Sequence, residues 1–307
     1  MISKQSRYRG ALIGFLVAES LGSTTEFMKP EEIKAQFGIH QEIIGGGVFE
    51  WPRGSITDDG EMTLCVARSL VECSGYNLRD IASRFVDWYN SDPIDIGSTC
   101  RIGINRYIRT GELERPYCVD HAGNGGVMRE LPLILYYAGK RDTMLQAVVE
   151  QSRLTHNNKE SDDGCRCYAD LVAAALQGAD MSLLVQIARQ YPLFLQENYN
   201  GKAGGYIVET LRTVLHFFFS TDSFEDAVVG AVNMGQDADT CGAIVGGLAG
   251  AYYGYEAIPQ RWIEALDQTI LDEALDLSQR LTTPSPEISQ EGVSTRTRIH
   301  QSAHDRI

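Results

Sequence analysis

Two short acidic clusters hold the residues best suited to chemistry. Thr57-Asp58-Asp59 and Asp237-Ala238-Asp239-Thr240 lie about 180 residues apart, and each packs two carboxylates and a threonine hydroxyl into three or four positions. Hard divalent cations take oxygen ligands of this kind, and two such clusters brought together can enclose a pair of ions. Each cluster also has a structural reading. Asp and Thr are ordinary N-caps, and a helix N-terminus keeps nearby carboxylates ionised. One helix cap accounts for one carboxylate. Two clusters of the same composition point instead to a metal site assembled from distant segments.

The elements that must carry these clusters are helices. Met62, Val66, Ser69 and Leu70 recur at helical spacing after the first cluster, as do Ile81, Phe85 and Trp88. Further helical runs are expected from Leu131 to Tyr137, Leu145 to Leu154, Tyr168 to Leu176, Ile207 to Phe219 and Ala227 to Val232. The second cluster leads into a run with Gly242, Gly246 and Gly250 every four residues. Glycine costs about 1 kcal/mol relative to alanine inside a helix, so this row needs a reason. Close approach of a second helix is sufficient, and Gly10, Gly14 and Ala18 form a matching small-residue face. Only Glu42 to Glu50 reads as extended, and its three glycines mark a loop or hairpin. The expected class is all-α, a single-domain helical bundle over residues 1–280. From 281 to 307 apolar periodicity is lost, and a disordered tail is expected.

Composition narrows the function classes. The formal net charge of −14 argues against broad nucleic-acid binding, which relies on Lys and Arg. Seven cysteines, irregularly spaced and with no pair separated by two intervening residues, do not suit a disulfide framework or a zinc finger and fit reduced thiols in a cytoplasm. Lys4, Arg7 and Arg9 before the apolar run Ala11 to Ala18 mimic a signal peptide. A first core helix is the favoured reading of that stretch. No run reaches the roughly 20 apolar residues of a membrane span.

Read together, these motifs resemble the ADP-ribosylglycohydrolases, and within them the dinitrogenase reductase-activating glycohydrolases. The resemblance rests on Thr57-Asp58-Asp59, on Gly235 to Ile244 and the glycine-rich helix to Gly254, and on Glu26-Phe27-Met28. It is supported by Ile94 to Arg101, Gly123-Asn124-Gly125, Leu154 to Asn157, Gly205 to Val208 and His216 to Asp226, in order over about residues 8 to 265. It implies an all-α orthogonal bundle with a dinuclear metal cleft, holding two divalent ions, Mn²⁺ or Mg²⁺. Thr57, Asp58 and Asp59 would ligate from one side, and Asp237, Asp239 and Thr240 from the other. Glu26 and Asp95 would act as acid/base or orienting groups. Gly123, Asn124 and Gly125 would bind ADP-ribose, His156 would lie near the guanidine or phosphates, and Tyr206 would stack on adenine.

The residues alone leave alternatives at several of these positions. Asp95 suits a cap for a helix near Thr99, His156 a cation at a helix end, and Tyr206 a core or rim position. The chain also departs from the family pattern. The usual Thr-Asp-Asp-Thr ends in Gly60, an early Gly-Asp-Ala-Leu-Gly becomes Ala18-Glu19-Ser20-Leu21-Gly22, and a usual threonine is Cys241. The implied activity is metal-dependent hydrolysis of the N-glycosidic bond between ADP-ribose and a protein arginine. The target would be nitrogenase iron protein or a bacterial protein modified by an ADP-ribosylating toxin. Two other classes are a non-catalytic ADP-ribose-binding or partner-binding protein of the same fold and a metal-dependent phosphoesterase.

Overall fold

The computed structural model describes residues 2–195 and 199–282. Among these, the chain forms fourteen α-helices in order: α1 (Lys4–Gly22), α2 (Pro30–Phe37), α3 (Asp58–Glu72), α4 (Leu78–Asn90) and α5 (Ser98–Thr110). Next come α6 (Leu131–Tyr137), α7 (Arg141–Ser152), α8 (Lys159–Leu176), α9 (Met181–Ala188) and α10 (Ile207–Ser220). The last four are α11 (Phe224–Val232), α12 (Ala238–Tyr253), α13 (Gln260–Ala265) and α14 (Gln268–Thr282). The Glu42–Glu50 stretch is a glycine-rich loop closed by an antiparallel bridge between Gly46 and Trp51. The all-α expectation holds. The expected tail lies outside the described residues, except that Leu281 and Thr282 complete α14, with Leu281 buried.

Two helices run through the middle. Every residue of α1 from Gly10 to Gly22 is buried, as is every residue of α12 from Ala238 to Ala251. A helix apolar on all sides belongs inside, and that explains why α1 imitates a signal peptide in sequence. The two helices pack antiparallel in four-residue steps. Gly10 faces Gly250, Gly14 faces Gly246, Ala18 faces Gly242 and Gly22 faces Ala238. A Cβ on Gly14 would stand 2.7 Å from the Gly246 carbonyl oxygen, and one on Gly242 would stand 2.7 Å from that of Ala18. Backbone therefore touches backbone, the close approach that the repeated glycines require. The register also fixes function, because it sets the end of α1 against the start of α12.

The other helices wrap this pair with their apolar faces inward. On α3, Met62, Val66, Ser69 and Leu70 are all fully buried, and α4 buries Ile81, Phe85 and Trp88 against the same core. All seven cysteines are free thiols. Among the described residues no helix is long and apolar enough to cross a membrane.

Candidate active site

The two acidic clusters meet. Each begins a helix, and in each the carboxylates are left free of capping work. On α3 the cap is the Thr57 hydroxyl, which accepts from the Asp59 N–H at 3.4 Å and donates to Asp239 Oδ2 at 3.1 Å. Asp237 occupies the N-cap position of α12, yet its side chain makes no capping bond. Oxygens of Asp58, Asp59 and Asp239 lie within 4.8 Å of one another. A second trio, Glu26, Asp237 and Asp239, meets the same limit. Asp239 belongs to both.

Glu26 reaches the cluster through strained backbone. It follows α1 in a turn where Phe27 has φ of 61°, facing Gly235 and Gln236 with φ of 62° and 57°. The two segments clasp each other: the Phe27 N–H donates to the Gln236 carbonyl at 2.6 Å, and the Gln236 N–H donates to that of Met28 at 2.8 Å. A non-glycine residue at positive φ costs of order 1–3 kcal/mol and persists where its surroundings enforce it. Here the enforced geometry sets Glu26 beside Asp237.

The cleft around these groups has a volume of about 670 Å³. Six carboxylates line it, those of Glu26, Asp58, Asp59, Asp95, Asp237 and Asp239, and no Lys or Arg is among the lining residues. Burial, reinforced by mutual repulsion, pushes the Glu26 carboxyl up to about 11 and that of Asp58 up to about 7. Asp59 and Asp239 are driven well above the carboxylate range for the same reasons. Glu26 Oε2, Asp59 Oδ2 and Asp239 Oδ1 are buried without a hydrogen-bond partner. Orphaned buried oxygens converging from three segments, in a cleft with no Lys or Arg among its described lining residues, fit divalent metal ions as the counter-charge.

The remaining expected residues fall into place unevenly. Asp95 is half-buried on the cleft wall ahead of α5. Its carboxylate accepts from the Ile96 N–H at 2.7 Å, and burial raises its pKa. It does not cap α5, whose N-cap is Gly97; the Gly97 N–H instead donates to Asp58 Oδ2 at 3.2 Å. The Asn124 amide N–H groups are committed to the protein, donating to Asp237 Oδ2 at 2.5 Å and Thr210 Oγ1 at 3.0 Å. Asn124 therefore orients a ligand-bearing carboxylate. Thr240 lines the cleft and its side chain bonds Asp237, whereas Thr57 lies behind the wall and steers Asp239.

His156 is buried, with Nδ1 at 2.8 Å from Thr155 Oγ1. Burial, with Arg129 and Arg115 nearby, drives its pKa well below the usual value, so it is a neutral imidazole and not a helix-end cation. Gly123 and Gly125 flank its ring. A Cβ on Gly123 would stand 2.9 Å from His156 Nε2, so the glycines make room for the imidazole. Tyr206 is outside the cleft wall, 41% exposed, with its hydroxyl donating to Glu160 Oε2 at 2.7 Å. Its backbone bridges Gly123, placing the ring on the rim. Ser98, Thr99, Gly204, Gly205 and Gln236 also line the cleft and carry no titratable group that sequence reasoning could single out.

Comparison with known proteins matches this geometry to one group. A sequence model described as ADP-ribosylglycohydrolase matches residues 1–288. The ADP-ribosyl-[dinitrogen reductase] glycohydrolase of Rhodospirillum rubrum is 40% identical over 272 residues, covering 87% of this chain and 92% of its own. The ADP-ribosylarginine hydrolase Tri1 of Pseudomonas putida (strain GB-1) is 29% identical over 303 residues, covering 92% and 80%. Among solved structures, an ADP-ribosylglycohydrolase-related protein complex superposes with a TM-score of 0.79 at 33% identity, covering 91% of this chain and 99% of that one.

Proposed function

This chain belongs to the ADP-ribosylglycohydrolase family and is an ADP-ribosyl glycohydrolase; we propose that it removes ADP-ribose from arginine side chains of a modified protein with the help of two divalent ions. The observation that carries the metal reading is Asp239, shared between two trios of carboxylate oxygens in a cleft whose described lining holds no Lys or Arg. Asp58 and Asp59 would hold one ion and Asp237 the other, with Asp239 between them and Glu26 completing the second set. Thr57 and Thr240 serve by orienting Asp239 and Asp237. Mn²⁺ or Mg²⁺ suits an all-oxygen set of this kind. When bound, such ions supply Lewis-acid contact to the ribose hydroxyls and a place to orient water.

The chain's own residues account for the rest of the chemistry. Breaking the C1″–N bond builds positive charge on the ribose, and a cleft ringed by carboxylates positioned in advance stabilises that charge as it develops. Asp95 stands outside both trios and is the group free to take a proton from the attacking water as its oxygen bonds C1″; the guanidine departs with the C–N bonding pair and regains one proton, balancing the one that Asp95 removed. Neutral His156, held between Gly123 and Gly125, presents a polar edge to substrate without adding a charge that would repel a guanidinium. Tyr206 on the rim offers an exposed ring to the adenine end.

The similarity to the Rhodospirillum rubrum enzyme makes arginine-modified dinitrogen reductase the first substrate to test; a toxin-modified bacterial protein is the second. The protein is incubated with each in Mn²⁺, Mg²⁺ or EDTA, and free ADP-ribose is measured. Release with metal and its loss in EDTA is the expected result. Binding without release would identify a non-catalytic relative, and release of phosphate would identify a phosphoesterase. Either outcome would sink the proposal.

A further inference from the structure

Glu19 and Gly60 lie 41 residues apart in sequence, and the fold puts them in contact. Glu19 lies in the last turn of α1 and is fully buried. Its Oε1 accepts the backbone N–H of Thr57 and, at 2.9 Å, that of Gly60. These donors sit at the start of α3, where a helix leaves N–H groups without an intrahelical partner. The other oxygen, Oε2, is buried and has no partner. It lies 2.5 Å from where a Cβ on residue 60 would stand, and Oε1 lies 3.0 Å from the same point. A side chain at position 60 therefore displaces the carboxylate, and Ile56 Cβ, 3.0 Å from the same point, limits where else it can go. An aspartate at position 19 would be one methylene shorter, vacating that space and withdrawing from the two N–H groups.

We propose that Glu19 is a positioning residue for the metal site, and that Gly60 is the space that admits it. Glu19 grips the residues on both sides of Asp58 and Asp59, at Thr57 and Gly60, and so fixes the direction in which both carboxylates leave α3. The two residues then act as one unit, in which the Glu19 carboxylate from α1 fills the space that a side chain at position 60 would take. This inference rests on the metal reading for its effect on ion binding; the Glu19–Gly60 contact itself does not.

Four proteins test it: wild type, Gly60→Thr, Glu19→Asp and the double variant. Each is measured for Mn²⁺ dissociation constant by titration with electron paramagnetic resonance detection, and for Tm in the metal-free state. Groups that orient metal ligands typically carry 10–100-fold in affinity, so Gly60→Thr is expected to weaken Mn²⁺ binding by roughly tenfold or more. Glu19→Asp should weaken it less, and the double variant should recover to within about threefold of wild type, a non-additivity that only contacting residues show. If Gly60→Thr does not fold, Gly60→Ala takes its place in the same cycle. Additive losses overturn the coupling. Single variants that lower Tm but keep wild-type Mn²⁺ affinity overturn the positioning role and leave a structural cap. A wild-type protein that binds no Mn²⁺ defeats the metal reading instead, and Tm non-additivity then still decides whether the two residues are coupled.

Discussion

Asp239 is the carboxylate common to both oxygen trios, so its removal should strip both ion positions at once. Asp239→Asn is expected to abolish stoichiometric Mn²⁺ binding in calorimetry and to lower kcat by at least about a hundredfold, the scale for losing an electrostatic stabiliser. Asp95→Asn should behave differently, because Asp95 belongs to neither trio. It is expected to keep Mn²⁺ binding near wild type while kcat falls by about 10²–10⁴-fold, as for loss of a general base. Equal metal loss in the two variants would refute the division of labour. At this scale the acidic clusters were legible because two carboxylates and a threonine recur in one short pattern. The orienting role of Asn124 was not, since only the fold reveals that its N–H groups face Asp237 and Thr210. From the residues alone the proximity of Glu26 to Asp237 was also hidden, and only the family resemblance brought Glu26 to the site. That proximity depends on positive φ at Phe27 and Gln236, which non-glycine residues seldom adopt and no propensity announces.

Among the elements, α1 and α12 decide where the site forms. Their contact is backbone on backbone, so added volume has nowhere to go. Gly246→Val would push carbons into the Gly14 carbonyl and the Ala18 methyl, the latter 2.5 Å from a Cβ at 246. Overpacking of this severity costs about 3 kcal/mol, a drop in Tm of roughly 5 °C in a chain of this size. Gly139→Ala is the matched control. Nothing lies within 4 Å of a Cβ there, and the change should stay within about 0.5 kcal/mol in thermal melts. A Gly246→Val protein that melts like the control would contradict the registered packing. This pairing was readable from the four-residue glycine spacing on both helices. The short helices α2, α9 and α13, of six to eight residues, were not among the expected runs, whereas α6, seven residues long, was readable because its apolar residues are nearly continuous.

For the whole molecule, the buried acids couple stability to pH. Unfolded, Glu19, Glu26 and Asp58 release their protons near pH 4; folded and without metal, Glu19 holds its proton to about 8, Asp58 to about 7 and Glu26 to about 11. Between those limits the folded state binds more protons, so stability is fullest below pH 4 on this account and declines as pH rises through 7 and 8. The opposing loss from ordinary surface ion pairs lies at lower pH. Metal-free protein should therefore show a falling Tm from about pH 6 to pH 8.5, and Mn²⁺ should restore it most at the alkaline end, where ligands are free of protons. A Tm that rises over this range in EDTA would contradict the assignment. The all-α class was legible at this scale because periodicity repeats along most of the chain. That the two acidic clusters share one site was legible from their like composition, but its geometry was not, because only long-range packing sets how the distant parts meet.

The antiparallel pairing of α1 and α12 also has a consequence for synthesis. The partner that covers the apolar α1 lies roughly 200 residues later in the chain. At about 5–20 residues per second, α1 waits on the order of 10–40 s after leaving the ribosome before that partner emerges. During this interval a helix that resembles an export signal is accessible to the chaperones and targeting factors that survey nascent chains. Pulse-labelled ribosome complexes stalled before residue 238 should therefore crosslink to such factors through residues 10–22, and complexes stalled well past residue 254 should not.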